Sequence, residues 1–451
     1  MADDLNPKKF RSQMKSCGNA ARAVLEAMFT TGKPADRTLS NFFRENRPLG
    51  SRDRKFISEA VYALLRNWGI LRKFLPAERR EELEGGRIRI GRAELDALIF
   101  AALYLEGIDL PAADAIANEL RLSWPKPDPA AESQFLARAE ALAKVFGVAV
   151  AFQESDLVPD WVPPMLPAGF DPDRFIADLR RRPPMWLRVQ VSDRDRLIAE
   201  LRECGSSVHT HERVENAIAV ENPKVNLFTL ESFRRGEFEV QDLASQCIGL
   251  VAAPKPGERW LDACAGAGGK TLELADLMHR TGTVVACDVR SYKLDDLRIR
   301  ARRAGFPNIV TRAWDGKPFH GKQEGAFDGV LVDAPCSCSG VWRRNPDGRW
   351  TLKPEDVEEA AALQSRILEA ASTAVRPGGV LIYATCSLFS RENGEVVAAF
   401  LEKNDDFTLE PFGHPLTGEP CDGMLQLHSF DGDCDSMFAA RMRRKEAHQG
   451  E

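Results

Sequence analysis

The stretch LDACAGAGGKT, residues 261–271, decides the architecture. An apolar run, RWLDAC (259–264), stops at a glycine-rich turn, and the helical pattern KTLELADLMHR (270–280) follows directly. A strand that feeds a helix through such a turn opens a βαβ unit, where bare backbone and a helix start can meet a ligand. Two ligand classes use turns of this kind. A phosphate-gripping loop has the form G-x-x-x-x-G-K-[ST]. Gly269, Lys270 and Thr271 satisfy its end, but its first glycine falls on Cys264. A nucleoside site asks less: Gly266, Gly268 and Gly269 let backbone approach, and a carboxylate about 20 residues on holds a ribose diol. Asp288, in VVACDVR, stands there. The nucleoside reading is therefore preferred to an ATPase loop or a purely structural turn.

Downstream the same rhythm repeats. TVVACDV, NIVTRAW, FDGVLVDAP and GGVLIYATCS are apolar runs suited to buried parallel strands, and helical stretches such as SYKLDDLRIRARRAG separate them. The alternation predicts an α/β, Rossmann-like doubly wound sheet over 241–451, with ligands at the carboxyl ends of the strands. Residues 151–240 open on the proline-rich DLVPDWVPPMLPAGF, then mix short strands (MWLRVQV, AIAVE) with helices (DRDRLIAELRECG, LESFRRG), which predicts a small α/β module. Residues 1–150 read as all-helical. SRDRKFISEAVYALLRNWGILRKFL (51–75) places Phe56, Ala60, Ala63, Leu64 and Trp68 at helical spacing with Ser51 as N-cap, and RAELDALIFAALYLEG and SQFLARAEALAKVFG repeat the pattern.

A length of 451 residues calls for more than one domain. Ten cysteines without a paired framework, no apolar signal segment and no run of about 18 apolar residues predict reduced thiols in a cytoplasmic protein that does not enter a membrane. The formal charge of −6 gives no global pull toward nucleic acid, so any such binding rests on local basic surface.

Asp315, in TRAWDG after the third strand of the series, is placed to accept from an adenine amino group. No second phosphate site accompanies it, and an adenosine without phosphates matches S-adenosylmethionine. Two thiols fall at the ends of the next two strands: Asp333, Pro335 and Cys336 in VDAPCSCSG, then Thr385 and Cys386 in YATCS. Buried cysteines are often small hydrophobes, and Cys336, Cys338 and Cys386 are a conceivable zinc set, although no C-x-x-C pair or nearby histidine supports one and no metal is expected. Paired thiols suit one reaction well. Carbon 5 of cytosine is a poor nucleophile, and a thiolate adding at carbon 6 makes it enamine-like and open to methylation. A base then removes the carbon-5 proton and the thiolate leaves. Asp333 is the candidate to hydrogen-bond the pyrimidine edge as charge develops. The residues alone do not say which thiol attacks.

LDACAGAGGKT, ACDVRSYKLDDLRIRARRAG, VDAPCSCSGVWRRNPDGRW and IYATCS together resemble the RsmB/Sun group of RNA cytosine-C5 methyltransferases. FEVQDLASQ (238–246) matches as well, and the helical beginning resembles the NusB-like RNA-binding domain of such proteins. The resemblance implies that Cys386 is the nucleophile and that Cys336 helps resolve the adduct, as or near the base. It implies that Cys264, Ala265, Gly266, Ala267, Gly268, Gly269 and Lys270, with Asp288, Lys293, Asp315 and Asp333, line an S-adenosylmethionine site. Lys293 stands where the group usually has arginine, Ala267 replaces a usual proline, and SFDGDCDSMFAARMRR (429–444) replaces a usual Asp-Gly-Phe-Phe strand start.

The expected partner is RNA, a single-stranded or loop cytosine of small-subunit ribosomal RNA, bound by a monomer. Arginine clusters at 180–182 with Arg188, at Arg298, Arg300, Arg302 and Arg303, and at Arg343, Arg344 and Arg349 are candidates for a phosphate track, with Trp342 and Trp350 for base stacking. Transfer RNA is the alternative substrate. An RNA-binding or antitermination-type factor with a vestigial catalytic domain is the alternative class, disfavoured by the intact Cys386, Cys336 and Asp333.

Overall fold

The computed structural model describes residues 7–87, 90–107, 135–190, 193–221 and 223–446. Residues 133–134 of the expected helix and Val191 of the expected strand lie outside them. Two compact units emerge. One comprises Met1–Pro164, Asp171–Arg182 and Trp342–Leu352; the other comprises Met165–Phe170, Pro183–Val341 and Lys353–Glu451. Residues 183–240 thus share a unit with the large sheet, and residues 342–352 are built into the helical unit.

The helical unit holds the helices Pro7–Thr31, Ala35–Glu45, Ser51–Arg66, Arg92–Leu105 and Phe135–Phe146. The Ser51–Arg66 helix buries Ile57, Ala60, Val61 and Leu64 along one stripe. Arg92–Leu105 is apolar nearly all round and buries Leu95, Leu98, Ile99, Phe100, Ala101 and Ala102, as a central helix does. Ser51 is not the cap. The helix starts on it, Gly50 holds the cap position, and Asp53 accepts the Gly50 N–H at 3.3 Å.

The second unit contains a four-stranded sheet, an eight-stranded sheet and a two-stranded pair, and one apolar cluster joins Trp186, Ala217 and Ala219 of the four-stranded sheet to Trp260, Val284 and Leu331 of the eight-stranded one. Strands β1 (Met185–Val189), β2 (Ser207–Thr210), β3 (Ala217–Glu221) and β4 (Phe238–Val240) form an antiparallel sheet in the order β2-β3-β1-β4. The larger sheet is built from β5 (Arg259–Asp262), β6 (Thr283–Asp288), β7 (Ile309–Ala313), β8 (Phe327–Asp333) and β9 (Val375–Thr385), all parallel. After β10 (Phe407–Leu409), the short pair β11 (Phe412–Gly413) and β12 (Pro420–Cys421), and β13 (Met424–Leu427), the antiparallel β14 (Met437–Arg444) closes it. The order is β10-β14-β9-β8-β5-β6-β7. The order in which strands are added reverses at β5, which pairs in parallel with both β6 and β8, so the crevice beyond Asp262 and Asp333 is the topological switch point. The 429–444 segment forms a short turn of helix, Ser429–Gly432, before β14, whose Phe438 pairs with Thr385.

Candidate active site

The turn after β5 is held by backbone. Ala265 N–H donates to Cys287 O at 2.8 Å and Gly268 N–H to Ala265 O at 2.8 Å. Gly268 has φ 91°, and a Cβ there would meet Leu297 Cγ at 2.5 Å, so both conformation and packing require glycine. The helix Gly269–Leu277 begins next. Asp288, at the end of β6, accepts Gly266 N–H at 2.9 Å and the Arg290 N–H and Nε at 2.8 and 3.0 Å. Burial alone would raise this carboxyl, but those donors outweigh it and hold it below its ordinary value.

These residues wall a cavity of about 690 Å³, within the size range of small-molecule sites. Cys264, Ala265, Gly266, Ala267, Gly269, Lys270, Asp288, Asp315 and Asp333 line it as expected. Gly268 and Lys293 do not. Gly268 instead packs on Leu297, and the Lys293 ammonium lies over the Tyr292 ring, 5.7 Å from its centroid. Asp315 lies on the cavity's exposed rim, paired with Lys317 at 2.6 Å.

Asp262 was not singled out from the sequence, although it belongs to the stretch that decides the fold. It is 1% exposed, lines the cavity and accepts the Thr271 hydroxyl at 2.6 Å through Oδ2. Its Oδ1 is buried without a hydrogen-bond partner. Burial, reinforced by the charge of Asp333, pushes its carboxyl up to about 7. An orphaned acceptor in a cavity wall calls for a donor on the ligand. A ligand with a ribose diol and an ammonium group, as S-adenosylmethionine has, would find acceptors in the Asp288 and Asp262 carboxyls, and the residues present fit it.

Lys270 Nζ, in the same cavity wall, lies 2.8 Å from Asp333. Burial disfavours its charge, but Asp333, with a contribution from Cys386, outweighs this and keeps the ammonium above its usual range. Cys336 Sγ and Cys386 Sγ stand 3.3 Å apart, on the loops after the neighbouring parallel strands β8 and β9. Neither sulfur is in the cavity wall, but Pro335, immediately before Cys336, is. The contact from Cys336 favours the Cys386 thiolate, but the contact to Cys338, burial and the charge of Asp333 prevail and hold that thiol well above its usual range. Contacts with Cys338 and Cys386, together with burial, push Cys336 the same way. The sulfurs of Cys336, Cys338 and Cys386 lie within 4.8 Å of one another. That is three ligands, where a closed zinc site takes four.

Much of the expected basic track is structural. Arg188, 3% exposed, bonds Gln241 and Gln190, both at 2.7 Å, and pairs with Asp276 at 3.2 Å. Arg300 and Arg303 both pair with Glu239 on β4, and Arg300 Nη1 also donates to Ala267 O, in the cavity loop, at 2.8 Å. Within the helical unit Arg343 is buried against Asp178 at 3.3 Å, and Arg349, 0% exposed, donates to Leu157 O at 2.9 Å. Trp342 is 1% exposed, and Trp350 donates to Leu65 O at 2.8 Å. These side chains are spent on packing, not offered to bases or phosphates. Arg181, Arg182, Arg298 and Arg302 remain exposed.

The reversal at β5, the glycine turn and the strand-end carboxylates define a Rossmann-like fold with a nucleoside-type site at its switch point. Residues 249–443 match the family described as 16S rRNA methyltransferase RsmB/F. The ribosomal RNA small subunit methyltransferase B of Citrobacter koseri is 34% identical over 317 residues, 69% of this chain and 72% of the relative. Its counterpart in Salmonella typhi is 34% identical over 286 residues, 62% of this chain, and that of Enterobacter sp. is 35% identical over 272 residues, 58% of this chain. The chain spans 66% and 63% of those two proteins, just under two thirds of their lengths. The crystal structure of PH0851 superposes with a TM-score of 0.72 at 25% identity, covering 95% of this chain and 99% of that one. A methyltransferase homologue from Pyrococcus horikoshii gives 0.50 at 26% identity, over 60% of this chain and 90% of its own. The chain belongs to the RsmB/F methyltransferase family.

Proposed function

We propose that this protein is an S-adenosylmethionine-dependent RNA cytosine-C5 methyltransferase acting on small-subunit ribosomal RNA through a covalent cysteine–cytosine adduct. The observation that carries the reading is the pair of thiols 3.3 Å apart at two adjacent strand ends, next to a cavity lined by the Lys270–Asp333 pair. The name shared by the curated relatives supports the substrate. When bound, the cofactor supplies an electrophilic methyl group. Cys386 Sγ bonds to carbon 6 of the pyrimidine, and the displaced electron pair makes carbon 5 nucleophilic. Asp333, held by Lys270, hydrogen-bonds the base as charge develops. After carbon 5 is methylated, a base takes the carbon-5 proton, and Cys336, once it has itself given up its thiol proton, is that base or stands beside it. The electron pair of that C–H bond re-forms the ring double bond, and the bond from Cys386 Sγ to carbon 6 breaks.

The high position of the Cys386 thiol means that it must pass its proton to solvent or a base before it attacks, and the Lys270 ammonium is a nearby cation that favours the resulting thiolate. The helical unit, as a NusB-like RNA-binding domain, delivers the RNA to a cytoplasmic, monomeric enzyme. Cys386→Ala abolishes methyl transfer to small-subunit RNA, measured as incorporated methyl label and by bisulfite sequencing. Full activity in that variant, or label confined to transfer RNA, contradicts the reading.

A further inference from the structure

We infer that Glu392 is a positioning residue that sets the distance between the two thiols; the inference rests on the methyltransferase reading above. Glu392 is 0% exposed, and its carboxylate lies between the loops that follow β8 and β9. Oε1 accepts Ser337 N–H at 2.8 Å and Gln364 Nε2 at 2.9 Å. Oε2 accepts the hydroxyls of Ser337 and Ser387. A carboxylate offers about four lone-pair positions, and four neutral donors meet them here.

The consequence lies in which donors they are. Ser337 follows Cys336 and Ser387 follows Cys386, so one carboxylate grips the chain one residue beyond each thiol. The surrounding bonds make the grip stiff. Gln364, on the helix Pro354–Ser372, also donates to Pro335 O at 3.0 Å, and Gly340 N–H donates to Cys386 O at 2.8 Å. Ser339 Oγ accepts Leu388 N–H at 2.8 Å and lies 3.3 Å from both Ser337 Oγ and Ser387 Oγ. A Gly340 side chain would strike Ser436 O at 2.2 Å and Cys386 O at 2.8 Å, so the loop after Cys336 packs directly on the Cys386 backbone. Glu392 touches neither cavity nor thiol and acts through the two serines.

The test uses the full chain with Glu392→Gln, and separately Ser337→Ala combined with Ser387→Ala. Each is made alone and again with Cys338→Ser, which removes the third thiol for the oxidation measurement. Diamide closes a Cys336–Cys386 disulfide by taking both thiol hydrogens and being reduced to the hydrazine, and peptide mass mapping gives the rate. We expect closure to slow about tenfold or more in both variants. We expect kcat, measured with Cys338 intact, to fall about 100-fold, the order reached when reacting groups shift by about 1 Å, while KM for RNA and the affinity for S-adenosylmethionine stay within about threefold. A merely structural role would instead move melting temperature and ligand affinities together. Closure at the native rate in both variants, or kcat within threefold of native, overturns the inference. If the native enzyme methylates no RNA, the functional reading fails while the diamide measurement still decides the clamp.

Discussion

Asp262 shows how a single residue in the deciding stretch can be passed over. At a strand end it reads like any of several polar terminators, and nothing in the sequence announces that one oxygen is left without a partner. Gly268 shows the converse. It was legible as a required glycine, but for ligand approach, whereas the requirement comes from φ 91° and from Leu297. Asp262 also makes stability depend on pH. Its carboxyl sits at about 7 in the folded chain against an ordinary 3.8. Between those values the folded state holds a proton that the unfolded state has lost, so this residue's contribution falls as pH rises through about 7. A shift of this size is worth on the order of 4 kcal/mol across the window. Asp262→Asn is expected to flatten the slope of unfolding free energy between pH 4 and 7, followed by urea midpoints in the ligand-free protein; an unchanged slope would place the titration elsewhere.

At the scale of elements, the strands were the most legible part. Apolar runs ending in Asp262, Asp288, Asp333 and Thr385 became the parallel strands β5, β6, β8 and β9. The arginines were not. A basic residue in a sequence has no visible partner, and those of Arg300 and Arg343 are Glu239 and Asp178, far away along the chain. FEVQDLASQ was recognised as a matching motif, but its physical role emerges only in the fold. Glu239 orients Arg300, and Arg300 ties down Ala267 O. Gln241 bonds Glu273 at 2.6 Å, on the helix that starts from the same turn. The small sheet thus braces the cofactor loop from within its own unit. Arg300→Ala removes charge-assisted hydrogen bonds worth about 1.5–3 kcal/mol. It is expected to weaken S-adenosylmethionine binding about tenfold or more in isothermal titration, with the Cys336–Cys386 disulfide forming at the native rate. Unchanged affinity would mean that the loop keeps its shape without the brace.

At the scale of the whole molecule, a linear reading assigns each stretch to one domain in order, and the chain does not obey it. Trp342–Leu352 leaves the second unit just after the Cys336 loop and folds into the helical one, where Arg343, Arg349 and Trp342 are buried. A motif that reads as continuous, VDAPCSCSGVWRRNPDGRW, is therefore divided between the strand-end thiol loop and the helical unit. No helix among the described residues is long and apolar enough to cross a membrane. What the two strand-end thiols do is the claim on which the rest depends. It is tested most directly by incubating Cys336→Ala protein with small-subunit RNA and S-adenosylmethionine, denaturing, and mapping any RNA-linked peptide by mass spectrometry. The account predicts a denaturant-stable adduct on Cys386; no adduct, or one on another cysteine, would contradict it.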